Sequence, residues 1–216
     1  MNIKLIIFDF DGTLGDTRRN IVTTMQMTIA EMQLPSRSDD ECAATIGLPL
    51  AGCFRMLYPA MEEKHSLQCA ETYRRIFNEN LQFMKPDAFP GVAETLAVLK
   101  KLGYTLSIAS SRSRKSLVEL THHMGIDDQL SLLIGADDVK EAKPKPEPVL
   151  KTLATLKFKA AETLVVGDMA VDILMGANAG AMTCGVTWGN GSKEELVAAG
   201  ADFIIDKMEE IVGVVK

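Results

Sequence analysis

Two carboxylates two residues apart, Asp9 and Asp11, stand at the end of the apolar run 3–8 and lead straight into Gly12-Thr13. In an extended strand the side chains of i and i+2 point the same way, so the pair can converge on one substrate or metal. Held close together, two carboxylates repel, which raises one proton affinity or recruits a cation. Either outcome is chemically useful: a protonated acid can serve a leaving group, and a bound Mg2+ can hold a phosphate. Standing alone, such a pair could also merely cap a turn.

The pair does not stand alone. Val165-Val166-Gly167-Asp168 again runs an apolar stretch into Gly and Asp, with Asp172 four residues on. Positions i and i+4 share one face of a first helical turn, so Asp168 and Asp172 can face one site. Four acids at two strand ends suit a hard cation, and Mg2+ fits better than zinc because the cluster offers oxygens with no neighbouring Cys or His. Two further pieces suit a phosphate. Ser110-Ser111-Arg112 follows the apolar stretch 105–109, where a hydroxyl and the free N–H groups of a following helix could hold phosphate oxygens. Lys143 lies in the stiff segment Ala-Lys-Pro-Lys-Pro-Glu-Pro, which can aim a cation inward.

The elements that must position these residues are legible from hydrophobic pattern. The run 3–8 suits a strand buried on both faces of a parallel sheet. A helix follows, with Asp16 or Thr17 as cap and Ile21, Val22, Met25, Ile29 and Met32 at helical spacing. Residues 39–46, 50–58 and 62–83 read as further helices, with no strand among them. A helical stretch of roughly 70 residues is too long for a βα loop of about 2–6 residues and reads as an inserted domain. The division is therefore a core of 1–14 and 85–216 around a helical domain of 15–84, with 85–91 as a Pro/Gly-rich linker. Beyond it, helices at 92–102, 112–124, 148–156, 170–179 and 193–199 alternate with strands at 105–109, 130–134, 163–166, 182–186 and 203–205. This alternation specifies an α/β fold, a Rossmann-like, mostly parallel sheet with helices on both faces, plus the helical insertion.

A formal charge of -6 argues against nucleic acid as partner, since phosphate-backbone binding needs a basic footprint. Cys42, Cys53, Cys69 and Cys184 form no CxxC pair and read as buried thiols. The N-terminus lacks a secretory pattern, and no apolar run approaches the roughly 18 residues of a membrane span. A cytoplasmic location is expected. His65, His122 and His123 fall in helical stretches and read as surface or packing residues.

Taken together, these residues resemble the haloacid dehalogenase superfamily. Asp9-x-Asp11-Gly12-Thr13 resembles its first motif, Ser110 the second, Lys143-Pro144-x-Pro146 the third and Gly167-Asp168-x-x-x-Asp172 the fourth, in that order over almost the whole chain. The helical insertion resembles that family's first-type cap. The resemblance implies a central first strand, flanked by the fourth-motif strand on one side and the second-motif strand on the other. It also implies a phosphatase. Asp9 would attack phosphorus to form an aspartyl-phosphate, and Asp11 would serve as acid and then base. Mg2+ would be held by Asp9, the backbone carbonyl of Asp11, Asp168 and, directly or through others, Asp172. Ser110 and Lys143 would hold phosphoryl oxygens, with Gly12, Thr13, Ser111 and Arg112 as neighbouring substrate contacts.

Within the superfamily, residues 46–50 and the tail Trp188-Gly189-Asn190-Gly191-Ser192 resemble the phosphoglycolate phosphatase-like subgroup. Arg55 could reach a substrate carboxylate bidentately. Pyrophosphatases share much the same tail, and a sugar-phosphate phosphomutase of the β-phosphoglucomutase kind, or a non-catalytic binding protein, are the other readings. The expected partner is a small phosphorylated metabolite, with no nucleic acid or membrane, and the protein a monomer or weak homodimer.

Overall fold

The computed structural model describes residues 2–81 and 83–216 and divides the chain into two compact units, 1–16 with 87–216, and 17–86. In the first unit, strand β1 is Leu5–Phe8 and the short β2 is Gly15–Asp16. The second unit holds α1 (Arg18–Glu31), α2 (Asp39–Ala43), α3 (Leu50–Leu57) and α4 (Glu63–Asn80). The chain then continues in the first unit with β3 (Asp87–Ala88), α5 (Val92–Lys101), β4 (Thr105–Ala109), α6 (Arg114–His123), β5 (Leu132–Ile134) and α7 (Glu147–Leu156). It closes with β6 (Thr163–Gly167), α8 (Ala170–Asn178), β7 (Met182–Val186), α9 (Lys193–Ala198), β8 (Phe203–Ile205) and α10 (Ile211–Val215).

Six strands form one parallel sheet in the order β5-β4-β1-β6-β7-β8. Strand β1 is central, and Leu5 is in register with Thr105 on one side and Thr163 on the other. Its side chains explain the position. Leu5 and Ile7 enter a cluster with Val149 and Leu153 of α7 and Met175 of α8, while Ile6 and Phe8 point to the opposite face and are equally buried. Both faces are therefore covered, as the uninterrupted apolar run requires. Burying each such side chain stabilises the fold by about 1.5–3 kcal/mol, and Ile7→Ala would cost about 2–5 kcal/mol.

The helical unit packs α4 against α1 and α3. Ser38 begins α2 with a reciprocal cap, its Oγ accepting from the Glu41 N–H while Glu41 accepts from the Ser38 N–H. Its interior holds Met25, Phe54, Ile76 and Phe77 together with three of the four cysteines. Burial pushes the Cys53 thiol up to about 11 and, in the sheet, the Cys184 thiol up to about 12, so both behave as small hydrophobes.

Several boundaries differ from the sequence reading. The helix expected from 112 begins at Arg114, capped by the Ser113 hydroxyl, so Ser110 follows β4 without starting a helix. Helix α2 stops at Ala43, α4 at Asn80, and β5 starts only at Leu132. Thr17 precedes α1 without a side-chain capping bond. The linker 85–91 carries a short strand, β3, which pairs antiparallel with β2 and fastens the two places where the chain leaves and re-enters the sheet unit. No helix among the described residues is long and apolar enough to cross a membrane.

Candidate active site

The carboxyl ends of β1, β4 and β6 lie side by side, so whatever follows each strand is brought to one edge of the sheet, where open α/β sheets place their ligands. Asp9 leaves β1 with its N–H still donating to Val166 O at 2.8 Å, which fixes it against the end of β6. Asp168 follows β6, and Asp172 lies in the first turn of α8, where its Oδ2 accepts from the Met169 N–H at 3.1 Å. Among the described residues, Asp9, Asp168 and Asp172 form a group that could hold a metal ion, each offering a carboxylate oxygen within 4.8 Å of the others, all buried.

Lys143 reaches the same point from the segment before α7. That segment is braced by Glu147, whose carboxylate accepts from the N–H groups of Lys140 and Glu141, and by Asn178 Nδ2, which donates to Pro144 O at 3.0 Å. The Lys143-Pro144 peptide is cis. Lys143 Nζ donates to Asp9 Oδ1 and to Asp172 Oδ1, the latter at 2.6 Å, with its side chain only 3% exposed.

Asp168 is gripped from two sides. Thr13 Oγ1 donates to its Oδ1 at 3.0 Å, while the Asn190 N–H and Nδ2 donate to Oδ2 at 2.7 and 3.1 Å. Trp188 Nε1 donates to Thr13 O at 3.1 Å, tying the 188–191 loop to the turn after Asp11. Gly12 is required in that turn: its φ is +90°, and a Cβ there would lie 2.2 Å from Asp168 Oδ2.

Asp11 goes elsewhere. Its side chain is not part of the three-carboxylate group; both its oxygens accept from Arg112 Nε, at 2.7 and 2.8 Å. Ser110 sits at the end of β4 with its N–H donating to Ile134 O and its Oγ accepting from the Arg112 N–H at 3.2 Å. The structure thus gathers Asp9, Lys143, Asp168 and Asp172 in direct contact or close reach, with Gly12 and Thr13 against Asp168 and Arg112 against Asp11. Ser111 follows Ser110 in the same loop. Arg55 belongs to the helical unit, on α3, half exposed and 4.0 Å from Glu63.

The electrostatics follow from crowding. Four carboxylates, Asp9, Asp11, Asp168 and Asp172, meet two cations, Lys143 and Arg112. Burial pushes the Asp9 proton affinity well above the usual carboxylate range; Lys143 opposes this, and Asp172, Asp168 and Asp11 add to it. Burial and the neighbouring Asp172 push Asp168 up to about 7, against the hydrogen bonds from Asn190 and Thr13. Burial works against the Lys143 ammonium, but Asp172 and Asp9 outweigh it and hold the group above its ordinary value. Burial and the surplus of negative charge together leave a site that takes up either protons or a cation. The donor set is all oxygen, which fits a hard divalent ion.

Asn190 was not singled out as a site residue from sequence. The available signal was its position: it follows β7, next to β6 in the sheet, so its loop emerges at the same edge.

This fold and site define a class of enzymes that work with clustered aspartates at the carboxyl edge of a parallel sheet. Residues 6–186 match the family model described as "Haloacid dehalogenase-like hydrolase", and the chain belongs to that family. It is similar to "Probable phosphatase IndB" of Dickeya dadantii, 38% identical over 211 residues covering 97% of this chain and 92% of that protein. It also resembles "Pyrophosphatase PpaX" of Anoxybacillus flavithermus, at 33% identity with 99% and 97% covered. "Phosphoglycolate phosphatase" of Aquifex aeolicus is 31% identical, with 87% and 86% covered. Among solved structures, a haloacid dehalogenase-like hydrolase from Bacteroides fragilis superposes with a TM-score of 0.88 at 30% identity, covering 97% of this chain and 99% of that one.

Proposed function

We propose that the protein is a Mg2+-dependent phosphatase that hydrolyses a small, phosphoglycolate-like phosphate monoester through an aspartyl-phosphate on Asp9. The observation that carries this reading is the buried contact of Asp9 with Lys143 beside Asp168 and Asp172. Asp9, with the Asp11 backbone carbonyl, Asp168 and Asp172, would hold Mg2+, which supplies charge neutralisation for the phosphoryl oxygens. Lys143 orients the Asp9 carboxylate and offers its ammonium to a phosphoryl oxygen, and Ser110 offers a hydroxyl. An Asp9 oxygen bonds to phosphorus as the ester P–O bond breaks, and the departing oxygen takes a proton from Asp11. Asp11, now ionised, takes a proton from water as that water's oxygen bonds to phosphorus and releases phosphate, restoring Asp9.

A pyrophosphatase is the second reading, favoured by the nearly full-length similarity to a protein of that name. The partner in either case is a small phosphorylated metabolite. The net charge of -6 supports a site that recruits cations over one that tracks nucleic acid. We take the protein to be cytoplasmic and a monomer or weak homodimer. Phosphate release from phosphoglycolate, pyrophosphate and hexose phosphates, each with Mg2+ and with EDTA, tests the proposal. Mg2+-dependent release from a monoester is expected; preference for pyrophosphate selects the second reading, and no release from any member contradicts both.

A further inference from the structure

Asp9 and Asp11 follow β1 two residues apart, yet only Asp9 joins the carboxylate group with Asp168 and Asp172. The difference is Arg112. Its Nε bridges both oxygens of Asp11, its Nη1 donates to Ser116 Oγ at 3.2 Å, and its guanidinium carbon lies 5.8 Å from the centre of the Phe10 ring. The backbone under it is fixed as well, since its N–H donates to Ser110 Oγ and its carbonyl accepts from the Ala136 N–H at 2.7 Å. The pair is largely buried, with side-chain exposures of 10% for Arg112 and 12% for Asp11.

We propose that Arg112 is a positioning residue that holds the Asp11 carboxylate apart from the metal-binding aspartates and thereby keeps it available for proton transfer. A divalent cation accepts additional carboxylate oxygens readily, and an acid two residues from Asp9 is within reach of becoming one. Once bound to the metal, that carboxylate could no longer pass a proton to a leaving oxygen or take one from water. The Arg112 anchor competes for the same oxygens. The inference rests on the phosphatase reading, and it assigns Arg112 a role through Asp11 in addition to any contact with substrate.

The test is a four-protein cycle of wild type, Arg112→Met, Asp11→Asn and the double variant, with Arg112→Lys as the conservative replacement. Two quantities are read: the Mg2+ concentration giving half the maximal thermal upshift, and kcat on the best alkyl phosphate of the metabolite panel. Arg112→Met should lower the Mg2+ midpoint and reduce kcat by about 100-fold, the scale of a misplaced reacting group, with Arg112→Lys recovering part of both. In the Asp11→Asn background, Arg112→Met should change neither quantity further, because the group it acts through is gone. A Mg2+ midpoint that falls equally in both backgrounds would mean a simple through-space charge effect and would overturn the proposal, as would an equal loss of kcat in both. If Arg112→Met does not fold, Arg112→Gln is read in its place. A wild-type protein that shifts with Mg2+ but turns over no phosphate would end the phosphatase reading, while the midpoints of the cycle would still decide whether Arg112 keeps Asp11 from the metal.

Discussion

Asn190 holds a single oxygen of Asp168 twice, through its backbone N–H at 2.7 Å and its side-chain amide at 3.1 Å. With Thr13 on the other oxygen, the carboxylate cannot rotate without losing a buried bond. A partner that fixes a ligand in this way typically accounts for about 10–100-fold in metal affinity. Asn190→Ala removes one of the two bonds, so its Mg2+ half-saturation should rise by about 10-fold while kcat at saturating Mg2+ stays within about 3-fold of wild type. Calorimetric titration with Mg2+ alongside steady-state kinetics checks the split.

Lys143 is the counter-charge for two buried carboxylates, so removing it leaves charge without a partner. Lys143→Met should cost about 3–5 kcal/mol of stability in EDTA at alkaline pH, because breaking a buried pair exposes the desolvation penalty of what remains. The deficit should shrink at lower pH, where the carboxylates take up protons, and on adding Mg2+. Denaturant unfolding at two pH values measures both effects, and phosphatase activity should fall by at least about 100-fold.

Asp168, pushed up to about 7 in the folded protein without metal, compares with about 3.9 in an unfolded chain. A value raised by folding adds stability that is complete below the unfolded value and lost as pH rises through the folded one. Asp9 shifts in the same direction. In EDTA, the Asp168 contribution therefore declines between about pH 4 and about pH 7, and that of Asp9 declines in the same direction as pH rises. Mg2+ competes with those protons, so the thermal upshift at a fixed Mg2+ concentration should be larger at about pH 8 than at about pH 5.5. Surface carboxylates such as Glu41, Glu147 and Glu162 are lowered by their hydrogen bonds and act in the opposite sense, but equally with and without Mg2+. An upshift that grows as pH falls would contradict this assignment.

What could be read before the structure was known depended on how local the determining interactions are. Strands β1 and β6 were legible because continuous apolar runs that lead into an Asp have few other uses in a parallel sheet. The start of α6 was not: Ser110, Ser111 and Ser113 are all plausible caps, and the choice of Ser113 follows from the turn that the Ser110 hydroxyl makes with the Arg112 N–H. The pairing of Asp11 with Arg112 joins residues 101 apart and exists only because β4 lies beside β1. Asn190 needs the same kind of knowledge, since its loop meets Asp168 only through the adjacency of β7 to β6. The roles proposed for Asp9, Lys143 and Asp168 rest on a resemblance in motif order, whereas their mutual contacts and closeness come from the fold.

The central claim is that Asp9 carries the phosphoryl group. Rapid acid quenching during turnover of the best substrate, followed by mass spectrometry of the peptide holding Asp9, tests it directly. The wild type should show a single phosphoryl adduct on Asp9 that appears with Mg2+ and decays as substrate is consumed, and Asp9→Asn should show neither adduct nor turnover while remaining folded. Undiminished hydrolysis by Asp9→Asn, or a phosphoryl group trapped on another residue, would contradict it.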